Sequence, residues 1–234
     1  MGMMLQRHDL VYLSGDGWQQ LAMRASEADL PVIRRWQGAD WPVIVRRHEA
    51  SQREEGSLAP DHKISLGLAL PPDPIDGSKR RMALSIGAQH VARRQRPLSL
   101  LDAAPSAPER WREALALLDA AAKERGFCLQ VFGSLAMQRL TGMQYLTPRS
   151  DIDILFRPDS SEQLQAGLDL LADLSNRLPL DGEVIFPGEQ AVSWKEVAAG
   201  IAATGVNGTR VLSKCLNRVS LQPLSSLLLN LDGG

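Results

Sequence analysis

Cysteine is scarce in this chain. Cys128 and Cys215 are the only two among 234 residues, and they form no C-x-x-C pair. That excludes a disulfide framework and a thiolate zinc site, and a reducing cytoplasm fits. Both read as small buried apolar residues. His8, His48, His62 and His90 show no ligand spacing and fit surface or capping roles. No stretch of about 18 apolar residues exists to cross a bilayer. Arg7, His8 and Asp9 stand where a secretory signal needs an apolar core, so a soluble, untargeted protein with no membrane partner is expected.

Charge of either sign is also not in excess. Residues 1–100 hold 14 Lys+Arg against 11 Asp+Glu, and residues 101–234 hold 12 against 16, for a net charge of -1. Neither half is basic enough for duplex nucleic acid to be the main ligand. Aromatics are few, and Trp18, Trp36, Trp41, Trp111 and Trp194 read as packing residues.

What the chain does contain is a change of texture near its middle. The Pro-rich stretch 97–108 reads as a linker, giving an N-terminal α+β domain at 1–96 and a second domain at 109–234. Short apolar runs at 43–45, 64–70 and 81–86 predict a small N-terminal sheet, with one helix near 17–28. Beyond the linker, helix and strand alternate. Helical spacing marks 107–125, ended by Gly126, and a Ser160 or Ser161 cap opens a helix to about Leu178. Strands are expected at 127–132, 151–156 and 181–186, with a short helix from Ser134 to Leu140 that Gly142 ends. A helix at 193–199, an Asn207-Gly208 turn, one or two strands over 211–221 and an apolar tail over 224–231 complete the pattern. The fold class is α/β (α+β).

The chemistry sits on two of these pieces. On an extended strand Asp151 and Asp153 project from one face while Ile152 and Ile154 enter the core. Two carboxylates so placed repel each other unless a cation lies between them. One or two Mg²⁺ ions are expected there, with Mn²⁺ as the alternative. A third carboxylate from a neighbouring strand would complete the site. Glu183 is the choice and Asp181 the close competitor. Gly133-Ser134, where a buried strand turns into a short helix, lets a phosphate oxygen approach backbone N–H groups.

Basic residues would balance the remaining phosphate charge. Lys214, inside an apolar strand, must reach solvent or a charged partner, and a phosphate is one such partner. Among the basic clusters, Arg46-Arg47 and Lys79-Arg80-Arg81 are favoured over Arg34-Arg35 and Arg93-Arg94 because each adjoins a strand. They serve either as phosphate clamps or as a landing surface for an acidic partner, against the alternative of a solvated face.

Gly133, Ser134, Asp151 and Asp153 together resemble the motif of the nucleotidyltransferase superfamily, from which the chain departs at Leu135–Gln138, where many members carry an Arg. A longer likeness covers both halves. Gly133–Gly142, Tyr145-Leu146, Ser150–Asp153, Asp181–Val184 and Trp194–Glu196 look like the phosphoribosyl-dephospho-CoA transferases of malonate decarboxylase. So do Arg7–Val11, Trp41–Arg47, Gly67–Pro72 and Lys79–Arg81. The resemblance implies a holo-acyl-carrier-protein synthase, with a substrate- or carrier-binding domain at 1–96 and a nucleotidyltransferase-like catalytic domain at 109–234. Its donor would be triphosphoribosyl-dephospho-CoA and its acceptor a serine of the decarboxylase's acyl carrier subunit, with pyrophosphate released. A site between the two domains would hold so long a ligand. Two other functions remain open on the residues: transfer of a nucleoside monophosphate to a protein or small molecule, and binding without turnover.

Overall fold

The computed structural model describes residues 5–47, 63–203 and 208–232. His48, His62 and Asn207 of the expectations above lie outside them. Backbone contacts divide the chain into two units, Met1–Pro97 and Leu98–Gly234.

The first unit is a five-stranded antiparallel sheet with two helices. Its strands are β1 (Leu10–Leu13), β2 (Val43–Val45), β3 (Lys63–Ala69), β4 (Arg81–Gly87) and β5 (Val91–Gln95), in the order β4-β3-β2-β1-β5. Helix α1 (Gly15–Arg24) is capped by Ser14, whose side chain accepts from the Gly17 N–H. Helix α2 (Leu30–Gly38) carries Pro31 in its first turn, where the missing N–H costs nothing. Leu66, Leu68, Ile33 and Trp36 are all but sealed from solvent and make the core. The fully buried Asp9 is held at 2.7 Å both by Arg94 Nε and by the Gln6 N–H. An unpaired carboxylate there would be costly, so this pair ties β5 to β1.

The second unit is a seven-stranded sheet in the order β12-β11-β10-β9-β8-β7-β6. Its strands are β6 (Leu98–Ser99), β7 (Leu129–Val131), β8 (Ile152–Phe156), β9 (Leu180–Phe186), β10 (Gln190–Ser193), β11 (Arg210–Lys214) and β12 (Val219–Pro223). All neighbours are antiparallel except β8 and β9. A parallel pair needs a long crossover. It is supplied by α6 (Ser161–Leu174), capped by Ser160; of the leucine stripe 164, 168, 171 and 174 that the spacing suggests, Leu164, Leu168 and Leu171 are buried and Leu174 at the helix end is half-buried.

The remaining helices are α3 (Leu100–Ala103), α4 (Glu109–Glu124), α5 (Gly133–Thr141), α7 (Trp194–Ala202) and α8 (Leu224–Asp232). Helix α4 turns Trp111, Leu115, Leu118 and Ala122 inward, and Gly142 closes α5 in a left-handed conformation. Gly167 of α6 lies against the Phe156 ring, with no room for a side chain between them.

Several features differ from the sequence expectation. The first unit has two helices, α1 and α2, where one over 17–28 was expected, because Ser26 and Asp29 break the run between them, and strand β10 follows β9 unannounced. The stretch 97–108 is not a bare linker: Leu98 and Ser99 pair with Val131 and Gln130, and α3 and a 3₁₀ turn follow. Leu100 and Ala103 are buried there, so the alanines and leucines outweigh the prolines. Strand β5, sequence VARRQ, is too polar to show alternation because it is an edge strand. Cys128 is exposed and Cys215 half-buried, not the buried pair expected. Among the described residues no helix is long and apolar enough to cross a membrane.

Candidate active site

Strand β7 delivers the chain to Gly133, and β8 delivers Asp153 beside it. The Phe132 N–H donates to the Asp153 carbonyl at 3.0 Å, extending the β7–β8 ladder by one bond. Gly133 has φ +68°, and a Cβ there would fall 2.8 Å from Asp153 Cγ and closer still to its carboxylate oxygen. Only glycine suits this backbone and this contact. Helix α5 then starts at Gly133 with no side-chain cap from Phe132.

Gln138 is a main fastening of the loop between α5 and Asp151. Gln138 Oε1 accepts from the N–H groups of both Tyr145 and Leu146 at 3.0 Å, while its Nε2 donates to the Ser106 carbonyl at 2.7 Å. Ser150 Oγ accepts from the Thr147 N–H at 2.9 Å, a turn that aims the chain into β8. Gln138 stands in the stretch where the motif comparison expects an Arg. Here that helix position serves the loop.

Ile152 and Ile154 are fully buried and Asp151 and Asp153 partly exposed, as the alternation predicts. In the parallel register Asp153 faces Asp181 and Leu155 faces Glu183. Gly182, φ +132°, sits with its Cα against the Ile154 backbone, so β9 presses close to β8 at this point. One oxygen from each of Asp151, Asp153 and Asp181 lies within 4.8 Å of the others. Asp181, not Glu183, thus completes the trio. Glu183 is one pleat farther along β9, about 6.6 Å on, opposite an apolar residue.

Three carboxylates this close repel by about 3 kcal/mol per pair at an effective dielectric of ~20. Only oxygen ligands are offered, which suits a hard divalent ion such as Mg²⁺ or Mn²⁺ better than zinc or copper. Two lysines partly offset the charge. Lys195 Nζ is 3.4 Å from Asp181 Oδ1, and Lys214 Nζ is 3.6 Å from Glu183 Oε1. Glu183 is largely buried beneath Lys214. Lys195 was not singled out from the sequence. Its one signal was position: a cation in the first turn of a helix, the end the dipole disfavours, implies a nearby anion.

The structure therefore gathers Gly133, Ser134, Asp151, Asp153, Asp181, Glu183, Lys195 and Lys214 in the second unit. The arginines expected at the site belong to the first unit. Arg46 Nε donates to the Leu66 carbonyl at 3.2 Å, Arg47 and Arg81 are exposed, and Arg80 pairs with Asp29.

Comparison with known proteins decides what this arrangement belongs to. Residues 6–97 match the family model "Phosphoribosyl-dephospho-CoA transferase MdcG N-terminal domain", and residues 98–224 match its C-terminal domain. The chain belongs to the phosphoribosyl-dephospho-CoA transferase family. The junction of the two matches coincides with the division of the structure at Pro97 and Leu98. A phosphoribosyl-dephospho-CoA transferase of Bradyrhizobium diazoefficiens is 37% identical over 223 residues, covering 92% of this chain and 88% of the relative. Those of Xanthomonas euvesicatoria pv. vesicatoria and Xanthomonas axonopodis pv. citri are each 34% identical. The alignments cover 95% and 96% of this chain, and 99% and 97% of the relatives. No solved structure matches. Membership makes the protein an enzyme of the transferase class, as its motifs imply.

Proposed function

We propose that the protein transfers the phosphoribosyl-dephospho-CoA unit from triphosphoribosyl-dephospho-CoA to a serine of the acyl carrier subunit of malonate decarboxylase, in the cytoplasm. The serine oxygen bonds to the ribose-attached phosphorus of the donor. The bond from that phosphorus to the bridging oxygen of the diphosphate breaks, diphosphate departs, and the serine proton passes to a basic oxygen nearby or to water.

Asp151, Asp153 and Asp181 would hold Mg²⁺ or Mn²⁺, which when bound lowers the serine hydroxyl's pKa and stabilises the departing diphosphate. The Gly133-Ser134 turn receives a phosphate oxygen on the backbone N–H groups of α5. Lys214 adds positive charge to the polyphosphate side, and Glu183 positions it. What carries this assignment is the seating of the Asp153 carboxylate directly against Gly133, which puts an anion cradle and a cation-binding oxygen in contact.

Incubating the protein with apo-carrier, the precursor and Mg²⁺ should add the mass of one phosphoribosyl-dephospho-CoA unit to one carrier serine, read by intact-protein mass spectrometry. An unmodified carrier under those conditions refutes the proposal. A mass gain with ATP in place of the precursor assigns nucleoside monophosphate transfer instead.

A further inference from the structure

The outer hairpin of the second unit presents an exposed apolar pair on the same face as the carboxylates. Leu212 of β11 and Leu221 of β12 are direct cross-strand partners, 39% and 58% exposed. Face identity follows strand by strand. Asp153 faces Asp181, Glu183 lies two residues further on, and Lys214 reaches across to Glu183 at 3.6 Å. Leu212 lies two residues before Lys214, so it emerges on that same side, while Val211 and Ser213 on either side of Leu212 point inward and are buried.

Edge strands of a sheet ordinarily carry charge or proline toward solvent to discourage association. Strand β12 is an edge and carries Leu221 outward instead. The charge carried by the hairpin itself has one sign, while Glu196 of α7 and Glu183 of β9 reach its inner strand at Leu212 and Lys214. From Thr209 to Leu231 the chain has Arg210, Lys214 and Arg218 and not one acidic residue, within a half of the protein that is net negative. Arg210 Nη2 donates to the Leu221 carbonyl at 2.8 Å, which holds its guanidinium over the hairpin. Arg218 is exposed in the turn between the strands. The Leu212 N–H is already taken by Glu196 Oε1 at 3.0 Å, so at this point side chains, not backbone, are on offer.

Distance connects this patch to the reaction. Strands lie about 4.8 Å apart, which places β11 and β12 roughly 14 and 19 Å from β8. A stable protein contact covers about 800 Å² on each side, a patch about 16 Å in radius. A contact of that size centred on the carboxylates reaches β11, and one displaced toward this edge of the sheet covers β12 as well.

Resting on the function proposed above, we infer that Leu212 and Leu221, flanked by Arg210 and Arg218, dock the acceptor carrier protein. The fit is to a carrier surface that sets apolar side chains among acidic ones beside the acceptor serine.

The test is binding of fluorescently labelled apo-carrier to the full chain, measured by anisotropy without precursor, for wild type, Leu212→Asp, Leu221→Asp and Arg218→Glu. Each aspartate variant should weaken binding about tenfold or more with an unchanged Tm, since both side chains are already exposed. Arg218→Glu should weaken it too and flatten its salt dependence. Carrier binding equal to wild type in the folded aspartate variants overturns the inference. So does a lowered Tm with unaltered carrier binding, which assigns the leucines to packing within the chain. A wild-type dimer in sedimentation that Leu221→Asp dissociates, again without loss of carrier binding, assigns them to a second copy and also overturns it. A carrier that binds but gains no mass speaks against the proposed function, not against the docking surface.

Discussion

The carboxylate of Asp153 occupies the space that a side chain at Gly133 would need. Substituting Gly133→Ala is therefore expected to displace that carboxylate as well as strain a backbone at φ +68°. Transfer should fall by about 100-fold or more. Mn²⁺ binding, followed by electron paramagnetic resonance, should weaken in parallel. Retained Mn²⁺ binding would show that the glycine matters to the phosphate alone.

Asp151, Asp153 and Asp181 form one group and Glu183 stands outside it. Replacing any of the three by Asn should abolish most transfer and weaken Mn²⁺ binding, with losses of about 100-fold or more. Glu183→Gln should leave Mn²⁺ binding near wild type and act instead on the KM for precursor, through Lys214. A Glu183→Gln variant that loses the metal while Asp181→Asn keeps it would reverse the assignment.

Lys195 would compete with a bound cation for Asp181. The lysine is more than half exposed, and such a pair is worth about 1 kcal/mol or less, so a divalent cation would displace it readily. Lys195→Met should raise Mn²⁺ affinity by up to about fivefold, the equivalent of that energy. Weaker Mn²⁺ binding in this variant would mean that the lysine orders Asp181 instead of opposing the metal.

Gln138 satisfies two N–H groups of buried residues. In Gln138→Ala both lose their acceptor, at about 1–3 kcal/mol each, and Tm should drop by about 5 °C or more in a thermal melt. Gln138→Glu keeps an acceptor and should restore most of that loss. Equal Tm for Ala and wild type would show that water takes over the role.

The parts of the site legible in the sequence were those set by local backbone rules. Gly133-Ser134 announced a turn, and Asp151 and Asp153 shared a strand face because side chains alternate with period two. The choice between Asp181 and Glu183 was not legible. Both lie on that same face of β9, and which of them meets Asp153 depends on the register that the α6 crossover imposes on a parallel pair. Strand β10 was hidden by its brevity, four residues after a turn, and β5 by its arginines. The packing of Leu98 to Ser106 was masked by prolines that sit at turns between short elements. Cys128 follows the closing turn of α4, where position along the chain does not reveal which way a small side chain faces.

The one parallel strand pair has a consequence for how the enzyme comes into being. Asp151 and Asp153 emerge from the ribosome well before Asp181, and the third oxygen joins them only once the intervening helix has docked and β9 has slotted beside β8. Closing so wide a loop is a late event in folding. An incomplete chain thus has only two of the three clustered carboxylates in place, and any cation the trio could hold would meet its full set of oxygens only in the finished architecture.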